Sequence, residues 1–250
     1  MPRPAAFLHR HRHFLVFIAL MVVVRSSFAD WNDVPTTSMD PSIRAGDRIL
    51  VNKMAYDLRL PLLGTSIWRT GEPQRGDIVV FDSVAADNRL VKRVVGLPGD
   101  TVAMVDNGLR INGEEVAYVP ATASDDDVAI ELLGQLRHYV RRHPVGNRLS
   151  SFGPVTIPED HYLVLGDNRD NSADSRVYGL VPRGELVGRA GAVVFSLDYE
   201  NGWLPRRDLV LVGFAVGVAT PDALFLVGPG DDAQGVARAL SARQVGDQLA

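Results

Sequence analysis

Cysteine is absent from this 250-residue chain. That excludes disulfides, thiol nucleophiles and thiolate-held metals, and it leaves the redox compartment open. An excess of positive charge is also missing. The formal net charge is −4, so no general affinity for nucleic acid is indicated. The six histidines show no His-Glu-x-x-His spacing. Three of them, His9, His11 and His13, fall in a basic leader and read as flanking charge rather than as metal ligands. No metal and no cofactor is expected. Internal repeats are absent, and the body of the chain lacks convincing long helical patterns. What remains is ample apolar material, 46% of residues, with 22% charged. That composition builds a core and argues against wholesale disorder. The length allows one large domain or two small ones.

The N-terminal segment has two readings. Arg3, Arg10 and Arg12 precede an apolar run from Phe14 to Val24, and Arg25 follows. Eleven residues of helix span only ~16 Å, against a bilayer core of roughly 30 Å. A helix continuing to Trp31 reaches about 27 Å, with Arg25 snorkelling and Trp31 at the interface. The first reading is therefore a basic cytoplasmic leader (1–13) and a membrane anchor (14–31). The second is a cleavable secretory signal, with small residues at Ser27 and Ala29 near the processing site. Arg25 weakens the second. Both place the rest of the chain outside the cytoplasm.

Residues 32–207 read as a mainly β domain, a coiled antiparallel sheet or partly open barrel. Strands are expected at Ile49–Asn52, Asp77–Asp82, Leu90–Val95, Thr101–Val105, Glu115–Val119, Val155–Ile157, Tyr162–Leu165 and Ala192–Leu197. Asn107-Gly108 and Asn112-Gly113 bracket a hairpin. The rhythm breaks over about 120–154, read as a small inserted lobe. Within it, Ala129–His143 fits either a helix or a hairpin around Gly134. The tail, 208–250, has no assigned role, although 209–228 is apolar enough to raise the question of a second span.

Three segments carry the chemistry. The first is Val34-Pro35-Thr36-Thr37-Ser38-Met39-Asp40-Pro41, a serine between two stiffening prolines with the flexible apolar Met39 beside it. The second runs from Arg89-Leu90-Val91-Lys92 to Gly99-Asp100. In a strand, Leu90, Lys92 and Val94 share one face. An isolated strand lysine most often projects to water. Held neutral between apolar neighbours, it becomes a base that can activate a serine hydroxyl. Lowering it from ~10.4 to about 8 costs roughly 3 kcal/mol. A carboxylate in contact would reverse that shift, so none is expected. The third segment, Gly166 to Arg176, holds three Asp, two Asn, two Arg and two Ser. It lacks the closing glutamate of a calcium loop, and its arginines compete for the carboxylates. A Ser172 hydroxyl that orients the lysine, with Asp174 and Arg176 as a paired brace, is the alternative. Arg75-Gly76-Asp77 spells an adhesion tripeptide but leads straight into an apolar strand, which makes it a strand entry.

In order and in register, these blocks resemble bacterial type I signal peptidases over roughly 14–205. The resemblance implies a membrane-bound serine endopeptidase that removes signal peptides from exported preproteins. It implies a single-pass protein of the bacterial cytoplasmic membrane, its N-terminus inside and its β domain on the outer face, in contact with the lipid bilayer. By motif, Ser38 resembles the nucleophile and Lys92 the general base. The Ser38 amide and the Thr36 hydroxyl resemble the oxyanion hole. Thr36 stands where the family also uses serine, and its extra methyl restricts the hydroxyl. Ser172 resembles the residue that positions the lysine, supported by Asp174 and Arg176. Substrates are expected to bind as extended strands at Ala-x-Ala-like sites, with Val34, Pro35, Met39 and Val91 as candidate pocket walls. Two other readings share much of this pattern: a specialised processing protease, for example of pilus components, and a non-catalytic, membrane-tethered module that binds peptides by strand addition.

Overall fold

The computed structural model describes residues 4–61, 63, 65–121, 127–198 and 204–205. The tail read as 208–250 lies outside the described residues. Helix α1 spans Pro4–Ser27. The strands follow in chain order: β1 Ala29–Asp33, β2 Asp47–Asn52, β3 Asp57–Arg59, β4 Ser66–Arg69, β5 Ile78–Ser83, β6 Asn88–Gly96, β7 Thr101–Val105 and β8 Gly108–Ile111. Then come β9 Glu114–Glu115, β10 Ala117–Pro120, β11 Val128–Leu133, β12 Leu136–Arg141, β13 Phe152–Thr156 and β14 His161–Leu165. A four-residue helix α2, Ser175–Tyr178, precedes β15 Val181–Pro182, β16 Leu186–Asp198 and β17 Leu204–Pro205.

The molecule is mainly β, as the sequence predicts, with its strands in four antiparallel sheets. The largest runs β1-β2-β16-β5-β6-β14-β15, with β17 added on β16. Smaller sheets are β10-β11-β12, β13-β7-β8-β9 and β3-β4. No barrel closes among the described residues, because β1 and β15 end the main sheet without pairing to each other. Hairpin chemistry explains part of the division. Asp106 and Asn107 take positive φ in the two-residue turn from β7 to β8, and Asn112 and Gly113 do so from β8 to β9. Strand β8 therefore lies between two turns, instead of one hairpin spanning both.

Helix α1 ends at Ser27 and does not reach Trp31, which lies in β1 opposite Leu50. The exit is pinned. Lys53 Nζ donates to the Arg25 carbonyl over 2.8 Å, and the Arg25 guanidinium stacks 4.5 Å from the Trp31 ring centre. Among the described residues no helix is long and apolar enough to cross a membrane. The 24 residues of α1 include the basic leader, so the uninterrupted apolar part stays as short as the sequence shows.

The ambiguous segment within 120–154 is a hairpin. Strands β11 and β12 pair from Val128↔Arg141 to Leu133↔Leu136, turning at Gly134, φ 66°. Alternation puts Ala129, Glu131 and Leu133 inward from β11, and His138 and Val140 inward from β12. Inward Glu131 and His138 face each other across the pair. Two acid–base residues on the buried face hide the strand period from a hydrophobicity reading.

The main sheet is apolar on both faces. On one, Val34, Met39, Ile43, Ile49, Val51 and Val80 form a core with Val91 against it. On the other, Val79, Phe81, Val94, Val164, Val181 and Leu186 pack with Leu90. Strand β6 thus presents Val91 to one core and Leu90 to the other. The adhesion-like tripeptide is a strand entry: Asp77 is buried and accepts from the Tyr56 hydroxyl over 2.8 Å.

Candidate active site

Lys92 Nζ donates to Ser38 Oγ over 2.6 Å. The two residues lie 54 positions apart in sequence and meet where β6 passes the turn after β1. Lys92 is only 3% exposed, so its amine is removed from bulk water. Burial lowers its pKa from the ordinary 10.5 to about 8. The Asp174 and Asp167 charges pull it back up, and Arg176 lowers it further. Among the described residues no carboxylate forms an ion pair with it; the acidic neighbours act through space. At slightly alkaline pH the amine holds an open lone pair against a serine hydroxyl.

The turn carrying Ser38 is clamped from two directions. Asn168 donates its backbone N–H to the Ser38 carbonyl at 3.2 Å and its side-chain amide to the Thr37 carbonyl at 3.1 Å. Asn171 donates to Thr37 Oγ1 at 3.1 Å. From the inserted hairpin, Arg141 reaches Asp40 at 2.8 Å, and Ser42 donates to the Tyr139 carbonyl at 3.4 Å. The Thr36 hydroxyl stands 3.3 Å from Ser38 Oγ. Among the described residues no acceptor takes the Ser38 N–H. That leaves two donors, the Ser38 amide and the Thr36 hydroxyl, next to the serine oxygen.

Behind the lysine, Asp174 and Arg176 form the paired brace that the sequence predicts. Arg176 Nε and Nη2 meet the two Asp174 oxygens at 2.8 and 2.7 Å. Asp174 also accepts the Gly166 N–H at 2.9 Å and caps α2 through the Arg176 N–H. Arg176 Nη1 donates to the Leu149 carbonyl. The hydrogen bond expected from Ser172 to Lys92 is not formed. Ser172 is buried, and its hydroxyl has no hydrogen-bond partner. Ser172 packs instead on Gly166. A Cβ on Gly166 would lie 2.2 Å from Ser172 Oγ and 2.4 Å from the Ser38 carbonyl oxygen, so only glycine fits. The candidate pocket walls divide. Pro35 is exposed and Val91 half-buried, whereas Met39 and Val34 are covered and belong to the core beneath.

Several residues near the site escaped the sequence reading. Arg93 grips Asp167 with two bonds of 2.8 and 2.7 Å and also holds the Gly76 carbonyl. Burial alone would push the Asp167 carboxyl up; the Arg93 charge and hydrogen bonds outweigh it and hold the group low. Deeper in, Arg169 meets Glu131 at 2.6 Å, with the Tyr118 hydroxyl donating to the same carboxylate. His138 lies 3.3 Å from Glu131 and 3.8 Å from Asp167. Burial and then Arg93 keep its imidazole below the usual range. The available signal was the density of paired charges in 166–176, but partners on β6 and β11 are invisible without the fold. The three acids of segment 166–176 are spread over different donors, unlike those of a calcium loop: Asp167 on Arg93, Asp170 on Asn107 and Ser150, Asp174 on Arg176.

Known proteins resemble this chain over most of its length. The family model described as "Signal peptidase, peptidase S26" matches residues 8–195. Signal peptidase I of Pseudomonas aeruginosa is 40% identical over 202 residues, covering 74% of this chain and 71% of that protein. Signal peptidase I of Bacillus licheniformis is 34% identical over 188 residues, covering 74% and 86%. A solved signal peptidase I from Enterococcus faecalis is 33% identical and covers 47% of this chain and 96% of its own, with a TM-score of 0.33. The chain belongs to the S26 signal peptidases, serine endopeptidases that remove signal peptides from exported preproteins.

Proposed function

We propose that Ser38 is the nucleophile of this peptidase and Lys92 its general base. The 2.6 Å contact between a buried amine and the serine hydroxyl carries the reading. Neutral Lys92 takes the Ser38 proton as Oγ attacks the carbonyl carbon of the scissile peptide bond. The new oxyanion is met by the Ser38 N–H and the Thr36 hydroxyl, an arrangement worth about 3 kcal/mol in comparable sites. The C–N bond breaks, and protonated Lys92 gives its proton to the leaving amine. Once Ser38 is acylated its oxygen is a poorer acceptor, and the unbonded Ser172 hydroxyl becomes the partner that holds the lysine. Water then attacks the ester, Lys92 takes its proton, and Ser38 is restored. Asp174 and Arg176 fix the backbone on which Ser172 and Gly166 stand.

The preferred sites are Ala-x-Ala-like. Pro35 and Val91 supply the accessible apolar walls, while Val34 and Met39 back them from the core. Shallow walls of this kind reject larger side chains by clash. The enzyme works on the outer face of the bacterial cytoplasmic membrane. Its basic leader stays inside and the segment from Phe14 enters the lipid bilayer. The exposed Phe14, Val16, Phe17 and Leu20 of α1 and the preceding positive charges support that placement.

Cleavage of a purified preprotein tests the dyad. Ser38→Ala and Lys92→Ala should each lower kcat by about 10⁴-fold or more, with the variants still folded. Full activity in Lys92→Ala would remove the lysine from the mechanism and leave the family assignment intact.

A further inference from the structure

The faces of β6 differ beside the dyad: Lys92 shares the Leu90 face by alternation, and Val91 lies on the other. This inference rests on the mechanism above. Strand β14 pairs with β6 from Arg93 to Gly96 only, so Asn88 to Lys92 has β5 on one side and no β14 partner on the other. The accessible wall residues Val91 and Pro35 precede Lys92 and Ser38 in sequence, as does Val34 beneath them. The acyl half of an extended substrate therefore runs along the open edge before Lys92. Its side chains alternate between faces every ~3.3 Å. The two small residues face Val91, and the residue between them faces Leu90.

On the Leu90 face a cavity of about 280 Å³ opens, lined by Phe81, Leu90, Val164, Tyr178, Leu180 and Val181. Its lining includes Asp174, the partner of Arg176 in the site described above. Its rim is formed by Val84 and Ala85 in the exposed turn between β5 and β6. Two carboxylates, Asp174 and Glu185, stand in its wall. We infer that this cavity receives the side chain of the middle residue of the Ala-x-Ala segment and selects an apolar or aromatic group there over an acidic one. The free edge places that side chain on this face, the lining supplies apolar contact, and the Glu185 carboxylate repels negative charge, the Asp174 charge being met by Arg176.

Peptides differing only at the middle position (Phe, Gly or Glu), cut by the full chain, test this. The Phe peptide should exceed the Gly peptide about tenfold in kcat/KM, with Glu below both. Ala85→Trp, on the exposed rim, should bring the Phe/Gly ratio close to one. Tyr178→Ala, which widens the cavity, should raise the rate on a Trp peptide relative to Phe. A Phe/Gly ratio near one in the unaltered enzyme, or one that survives Ala85→Trp, overturns the inference while leaving the dyad untouched. Failure to cut any peptide, or cutting that persists in Ser38→Ala, would instead count against the catalytic reading.

Discussion

Arg141 Nε donates to Asp40 Oδ2 over 2.8 Å, a bond between the inserted hairpin and the turn that carries Ser38. The two side chains are 28% and 21% exposed, so the pair contributes about 1 kcal/mol or less to stability. Its effect on catalysis is positional and should be larger. Asp40→Ala and Arg141→Ala should each lower kcat several-fold with little change in KM. In a double-mutant cycle the second change should add little to the first. Fully additive losses would show that the bond does not steer the nucleophile.

Gly166→Ala should be far more damaging than its single methyl suggests. The new Cβ meets Ser172 Oγ at 2.2 Å and the Ser38 carbonyl at 2.4 Å, and the backbone on both sides is clamped. Activity should fall about a hundredfold or more, and the fold should lose about 1–3 kcal/mol as the overpacked contact pushes the Ser38 turn aside. Urea unfolding together with kcat measures both.

The lysine proposed as the base should weaken the fold. Its pKa is about 8 in the native state and 10.5 when unfolded, so the unfolded chain holds the proton more tightly. Below pH 8 the buried charge costs about 3 kcal/mol. That cost disappears as pH rises from 8 to 10.5. Lys92→Met should therefore stabilise the protein at pH 7 by about 1–3 kcal/mol, and the gain should vanish above pH 10.5. Denaturation midpoints across that range would reveal it.

Arg169 and Glu131 form an ion pair that is almost wholly buried, with side chains 1% and 0% exposed. Arg169→Met leaves Glu131 with its Tyr118 bond but without its compensating charge. A loss of about 3–5 kcal/mol in unfolding free energy is expected. Arg169 holds the Glu131 pKa below its usual value despite the opposing effect of burial. The native pair thus contributes stability above the unfolded pKa and loses it as pH falls through the lowered native value. The variant's deficit should shrink in acid.

The contact between Ser38 and Lys92 was legible because its signal is local. A serine between prolines and a lysine in an apolar strand announce themselves by their immediate neighbours. The strands β2, β5, β6, β7, β14 and β16 were legible for the same reason, as short apolar runs ended by turn residues. The hairpin β11–β12 was not. Its inward face carries Glu131 and His138, whose partners Arg169, Arg93 and Asp167 lie 29 or more positions away in the chain, the shortest step being from His138 to Asp167, so hydrophobic period alone left helix and hairpin open. The same applies to Asn168 and Asn171, whose bonds to the Thr37 segment span more than 130 residues. The termination of α1 at Ser27 depends on the pairing of β1 with β2, which no local pattern around Trp31 encodes.

The pH dependence of kcat/KM on a peptide substrate tests the base most directly, because it reports the free enzyme's own ionisation. The rate should rise tenfold per unit in acid and level off near the Lys92 value of about 8. A flat profile from pH 6 to 9, or a limb that climbs unbroken to the ordinary lysine value of 10.5, would contradict a neutral Lys92 acting on Ser38.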